Sequence, residues 1–172
     1  MKTALALVAL ALSFTAAIAQ TPPAPTMSSW LRGAYTNNRS YIARAAEKMP
    51  EELYAFKPAP ESQSFKDLIA HTADSAMGAC SGFNGERKTA GAREMTTKAA
   101  LVEAVKAAGA ECEKAYGGMT DQAATQMITG PRGSRSRLGT LYGNVVHIEH
   151  EYAQMAVHFR LKGLVPPSSE PR

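Results

Sequence analysis

The chain has 172 residues, with 19 Lys and Arg against 15 Asp and Glu, a formal charge of +4, four histidines and two cysteines. That mild, scattered basicity is no nucleic-acid footprint, and the only local cluster is Arg132, Arg135 and Arg137. No tandem repeat and no low-complexity tract is present beyond the short Pro-rich linker Gln20 to Pro25.

Residues 1–19 read as a secretory signal peptide. Lys2 supplies the charged start, Ala4 to Leu12 a short apolar run, and Ala17-Ile18-Ala19 a small-x-small cleavage site before Gln20. The run is too short to span a bilayer comfortably, no stop-transfer pattern follows, and no cysteine after the cleavage site invites a lipid. The expected product is a periplasmic or secreted protein with no integral membrane segment in the mature chain. Its remaining 150 or so residues suit one domain with a real core.

Residues 20–26 form a Pro-rich linker, and residues 27–165 the domain. Ser28 or Thr26 caps a first helix running to about Lys48, with Leu31, Ala34, Tyr41, Ile42, Ala45 and Met49 on its buried face and Asn38 interrupting it. Pro50-Glu51-Glu52 reads as a short helical turn, and Pro58 and Pro60 mark an extended connector. Ser64-Phe65-Lys66-Asp67 resembles a capping box opening a second helix to about Phe83. Leu68, Thr72, Ala76, Cys80 and Phe83 form its inner stripe, with His71 one step off it. A lone helical His at such a rim is more often a packing residue than a ligand.

A Gly- and Lys-rich loop, Gly82 to Ala92, leads to a third helix from about Thr97 to Tyr116, with Leu101, Val105, Ala108, Cys112 and Ala115 on one side. Thr120-Asp121 starts a short helix to about Ile128, and Gly130-Pro131-Arg132-Gly133 breaks the chain. The last helix spans Leu138 to Lys162. Leu141, Val145, Ile148, Tyr152, Met155 and Phe159 recur at three- and four-residue steps, the stripe of a helix packed on a core. Gly163 is placed for a left-handed cap, and residues 166–172 form a Pro/Ser tail. Nothing alternates with period two, so no strands are expected. The fold class is all-α, an up-down four-helix bundle with a short extra helix before the last one.

Beside the apolar stripe of the last helix runs a polar row, His147, Glu151, Gln154 and His158. His147 and Glu151 are one turn apart and can reach one ion; His158 lies about 16 Å up the axis from His147, too far to share it, and His150 points to solvent. The other reading of the row is a polar flank with a weak surface ion pair. A metal-like pair needs a third ligand from elsewhere in the chain.

Two stretches carry a family resemblance: LYAFKPAPESQSFKDLIAHTADS, and much later HIEHEYAQMAVHFRLKGLVPPSS. With their aromatic-Pro connector, a His on helix two and a last helix ending in Arg-x-x-Gly and a proline tail, they resemble the DinB/YfiT-like family over nearly the whole mature chain. The resemblance implies a four-helix bundle holding one divalent metal, ligated by a His on helix two and a His-x-x-x-His pair on the last helix. The chemistry it implies is metal-dependent transfer involving low-molecular-weight thiols, while other members are described as hydrolases.

Carried over, His71 matches the helix-two ligand and His147 the first member of the pair. Glu151 stands where the family usually has the second His, and Tyr152-Ala153-Gln154 where it commonly has Tyr-Gly-Asn. Two histidines and a carboxylate are still a known donor set for zinc hydrolases and non-haem iron. The expected metal site is therefore His71, His147 and Glu151, with Gln154 beside it to bind water or substrate, and with zinc, iron, manganese or nickel all admissible. In the competing outcome no metal binds and Glu151 pairs with a protonated His71 or His147. No catalytic residue beyond the ligands is legible.

Three functions compete on these residues. One is an enzyme whose metal activates water or a thiol against a small-molecule substrate; scarce exported thiols favour hydrolysis over transfer. Another is a non-catalytic bundle binding a metal or small molecule at a degenerate site. The third is an envelope interaction protein using the Arg132, Arg135, Arg137 loop against anionic partners, for which a solvated helix N-terminus is the simpler account. A homodimer is open. Cys80 and Cys112, an even pair in an exported chain and each on an inner stripe, are a disulfide candidate; two buried free thiols are the alternative.

Overall fold

The computed structural model describes residues 24–130 and 133–171. The leader 1–19, the start of the linker and Arg132 lie outside them. Four helices make the domain: α1 (Met27–Lys48), α2 (Phe65–Phe83), α3 (Lys98–Gly117) and α4 (Arg137–Leu161).

Each helix starts where a side chain satisfies its first free N–H groups. Thr26 caps α1 by accepting from Ser29 N–H, Thr97 caps α3 through Ala100, and Ser136 caps α4 through Gly139. At α2 the expected capping box is complete: the Ser64 hydroxyl accepts from Asp67 N–H and the Asp67 carboxylate from Ser64 N–H. The α4 stripe from Leu141 to Phe159 is buried throughout, as is the α2 stripe from Leu68 to Phe83.

The helical bundle matches the fold class read from sequence, but the helix directions differ from a simple up-down order. α2 packs on α3 and α4, and α1 packs on the same two. Phe65 meets Phe159 while Cys80 meets Asn144, so α2 and α4 run antiparallel. Tyr35 stacks on Tyr116 at 4.0 Å and Lys106 pairs with Glu47, so α1 and α3 are antiparallel too. α3 begins beside the end of α1, where the Lys98 ammonium donates to Met49 O, and it runs parallel to α2, bridged at Cys80–Cys112. The sense is up, down, down, up.

The physical reason is the connector 84–97. It does not turn tightly but travels back along α2, held halfway by Asp74, which accepts from Ala92 N–H at 2.9 Å and Arg93 N–H at 3.3 Å. α2 is about 28 Å long, within the reach of a 14-residue extended segment.

A second difference lies before α4. In place of a short helix, residues 121–125 turn and a two-stranded hairpin follows, β1 (Met127–Gly130) antiparallel to β2 (Gly133–Ser136), with Met127 opposite Ser136 and Gly130 opposite Gly133. Gly133 has φ +92, a left-handed geometry that suits glycine at the tip. Both strands are largely exposed on both faces. No core selects an apolar alternation in them, so the period-two signal is missing.

The core fills the space between the four helices, with Phe65, Leu68, Ile69, Leu101, Ile148 and Phe159 essentially inaccessible. Inside it, Tyr116 Oη donates to Leu141 O at 2.8 Å and accepts from Asn144 Nδ2 at 3.0 Å. Burial pushes the phenols of Tyr35 and Tyr116 above their ordinary range, so both stay neutral donors. Cys80 and Cys112 are joined in a disulfide, fully buried, with Cα atoms 4.8 Å apart. Among the described residues no helix is long and apolar enough to cross a membrane.

Candidate metal centre

The α2–α4 register decides which polar side chains meet, and ties on both sides of the cluster fix it. At one end the buried His158 places Nε2 3.1 Å from Gln63 O, just before the α2 cap, and Nδ1 2.9 Å from Gln154 O. The rings of Phe56 and Phe65 enclose it edge-on. Toward the other end Asn144 Nδ2 lies 3.8 Å from Cys80 Sγ. His158 belongs by sequence to the polar row of α4, yet its role is to lock the last turn of α4 onto the entrance of α2.

Between those ties His71, His147 and Glu151 come together. His71 Nε2 is 3.8 Å and His147 Nδ1 3.9 Å from Glu151 Oε1. The two imidazole rings are perpendicular, with centroids 5.0 Å apart. One ligand-type atom from each residue lies within 4.8 Å of the others. Two donors about 2.1 Å from a tetrahedral ion stand about 3.4 Å apart. The cluster is therefore slightly wider than a closed coordination shell, and the two histidines are each about a third exposed.

Glu151 is the buried member, its side chain only 6 % accessible. A buried carboxylate is costly unless a cation compensates it. Its Oε2 receives Gln154 Nε2 at 3.4 Å, a weak contact, so Gln154 stands beside the carboxylate as its position one turn on suggests. The donor set, two borderline nitrogens and one hard oxygen, fits a first-row divalent ion and is indifferent among several. His150 is exposed and takes no part.

The sequence reading did not single out Arg93. From the turn after the long connector its Nη2 lies 3.1 Å from His71 Nδ1. A guanidinium only donates, so Nδ1 is the acceptor and the neutral ring carries its proton on Nε2, toward Glu151. No sequence signal marks Arg93, because its placement depends on the path of the connector. Of the basic cluster, Arg137 is used internally, its guanidinium 3.9 Å above the Phe83 ring centroid, while Arg135 sits on the exposed hairpin strand.

The profile of the DinB superfamily matches residues 34–155, which include all three cluster residues. No curated protein matches the chain. Among solved structures, a DinB-like protein from Bacillus cereus is similar at 17 % identity and a TM-score of 0.65, covering 83 % of this chain and 97 % of that one. A DinB-like protein from Bacillus subtilis gives 18 % identity and a TM-score of 0.64, over 83 % and 99 %. A variant of a mycothiol-dependent maleylpyruvate isomerase shares 14 % identity at a TM-score of 0.60, over 76 % of this chain and 60 % of the isomerase. With the profile spanning most of the bundle and the same fold in these relatives, the chain belongs to the DinB superfamily.

Proposed function

We propose that the protein is an exported metal-dependent enzyme in which His71, His147 and Glu151 hold one divalent ion, and that it performs hydrolysis-type chemistry on a small molecule. The observation that carries this reading is the convergence of three ligand-type groups from two helices around a buried carboxylate. When bound, such an ion supplies Lewis acidity: it polarises an electrophile and activates a nucleophile at neutral pH.

The residues of the chain define the rest. Glu151 offsets one unit of the cation's charge, which makes the ion a weaker Lewis acid than three histidines would. Gln154 can orient a polar group beside the carboxylate. The two histidines, each about a third exposed, keep the cluster in contact with solvent. Export is supported by the leader pattern in residues 1–19 and by a buried disulfide, a bond that persists in oxidising compartments. Thiol cosubstrates are scarcer there, which favours hydrolysis. The mycothiol dependence in the name of one structural relative is what supports thiol transfer as the second reading. A bundle that binds an ion or small molecule without turnover is the remaining alternative, favoured by Glu151 standing where the family resemblance calls for His.

Metal analysis of native, chelator-free protein tests the site. One equivalent of a divalent ion is expected, lost in Glu151→Ala and His147→Ala. Sub-stoichiometric metal after supplementation, or full retention in both variants, sinks the site. Turnover on ester, amide and thiol-transfer panels then separates the enzyme readings from the binding one. N-terminal sequencing of envelope material should give Gln20; an intact Met1 on cytoplasmic protein would refute export.

A further inference from the structure

We propose that Arg93 is the substrate-binding residue of this site and that it receives a carboxylate, so that the substrate class is a small carboxylate-bearing molecule; this rests on the metal reading above.

Arg93 is held by its backbone and left open at its head. Asp74, one turn after His71 on α2, uses one carboxylate oxygen for Ala92 N–H and the other for Arg93 N–H. That places the guanidinium over His71 without a salt bridge to the carboxylate that anchors it. Among the described residues no carboxylate lies within 4.0 Å of the Arg93 guanidinium, and its one side-chain polar contact is His71 Nδ1 at 3.1 Å. Half of the ten Lys and Arg on the four helices are paired with carboxylates: Arg39 with Glu113, Arg44 and Lys48 with Glu170, Lys106 with Glu47 and Glu103, and Lys114 with Glu111. An exposed arginine fixed beside a ligand cluster and lacking an anion is a receptor for one.

The contact with His71 depends on where the imidazole proton sits. With the guanidinium donating to Nδ1, the ring proton sits on Nε2, the atom that faces Glu151. Were His71 to hold an ion through Nε2, that nitrogen would need its lone pair and the ring proton would sit on Nδ1, where it would oppose the guanidinium N–H as a second donor. Arg93 would stay tethered by Asp74 with its guanidinium released beside the cluster. With Glu151 and Asp74 as the carboxylates at hand, a bound divalent ion and the Arg93 guanidinium would leave one net positive charge there, which one carboxylate offsets. The planar guanidinium fork matches a carboxylate bidentately.

The test uses the full mature chain loaded with cobalt(II), whose visible absorption reports both metal occupancy and anions arriving at the metal. Acetate and inorganic phosphate are titrated into wild type, Arg93→Met and Arg93→Lys, with calorimetry in parallel. Acetate affinity is expected to fall about tenfold or more in Arg93→Met, with Arg93→Lys between, because a charge-assisted fork is lost. Cobalt should bind Arg93→Met at least as tightly as wild type, since the competing contact to His71 is gone.

Unchanged acetate affinity in a cobalt-replete Arg93→Met variant overturns the receptor role and leaves the metal reading standing. Weaker cobalt binding by that variant also overturns it, because it makes Arg93 a structural support of the cluster. A larger loss for phosphate than for acetate overturns the carboxylate assignment. Failure of wild type to take up cobalt overturns the metal reading and this inference with it.

Discussion

His71 Nε2 lies 3.8 Å from Glu151 Oε1, a contact made by residues of the second and last helices, while His147 approaches the same oxygen from one turn below on α4. Glu151 is thus the shared corner of the cluster and its only buried member. Its identity should set what the cluster prefers to bind.

Replacing Glu151 by His tests that preference. Two nitrogens and an oxygen accept hard and borderline ions alike, whereas three imidazoles favour zinc over manganese. The ratio of zinc to manganese affinity, measured by chelator competition, is expected to rise in Glu151→His. Losing a partner that merely orients a ligand costs about 10–100-fold in metal affinity, so Glu151→Ala should exceed that. A zinc-to-manganese ratio that stays level or drops in Glu151→His would count against the cluster as the ligand set.

The disulfide between Cys80 and Cys112 joins the two parallel helices α2 and α3 and closes a loop with a sequence separation of 32. Both cysteines are fully buried, so reductant should act only on protein that opens. In the chain-entropy model a loop of this size contributes about 3–4 kcal/mol. The Cys80→Ala, Cys112→Ala double variant is therefore expected to unfold at a urea concentration about 2 M lower, given a slope of about 1–3 kcal/mol per molar. A midpoint within experimental error of wild type would show that the bridge adds nothing.

Glu111 should contribute to acid sensitivity. Asn84 Nδ2 donates to its Oε1 at 2.7 Å, and Lys114 and Lys88 approach its Oε2. The Asn84 hydrogen bond first, then the two ammonium groups, hold the carboxyl below its ordinary value despite desolvation. A lowered folded value means the contribution is complete above the unfolded pKa of about 4.3 and disappears as pH falls through the lower folded value. Wild type should exceed Glu111→Gln in stability by a constant margin above about pH 5, and that margin should shrink below about pH 4. Chemical denaturation at stepped pH measures it, and a margin independent of pH from 3 to 7 would contradict the assignment.

The helices were legible because their signals are local. The Ser64–Asp67 box, the α4 stripe and the glycine and prolines after it depend only on neighbours within a turn or two, and those neighbours move with the chain. The i,i+4 relation of His147 and Glu151 is local for the same reason, and His71 was reached through the resemblance of two anchor stretches. What tertiary structure alone decided are the relations between distant segments. The parallel course of α2 and α3 follows from a connector that Asp74 pins halfway along α2. The burial of Glu151 and the use of His158 as a lock follow from the α2–α4 register, which side chains on both helices set together. The hairpin before α4 has no core to write a pattern into it, and Arg93 reaches His71 only because the connector returns there. Sequence periodicity records which face of an element is buried; it carries no information on which distant polar group that face will meet, because that is fixed by the packing of the whole bundle.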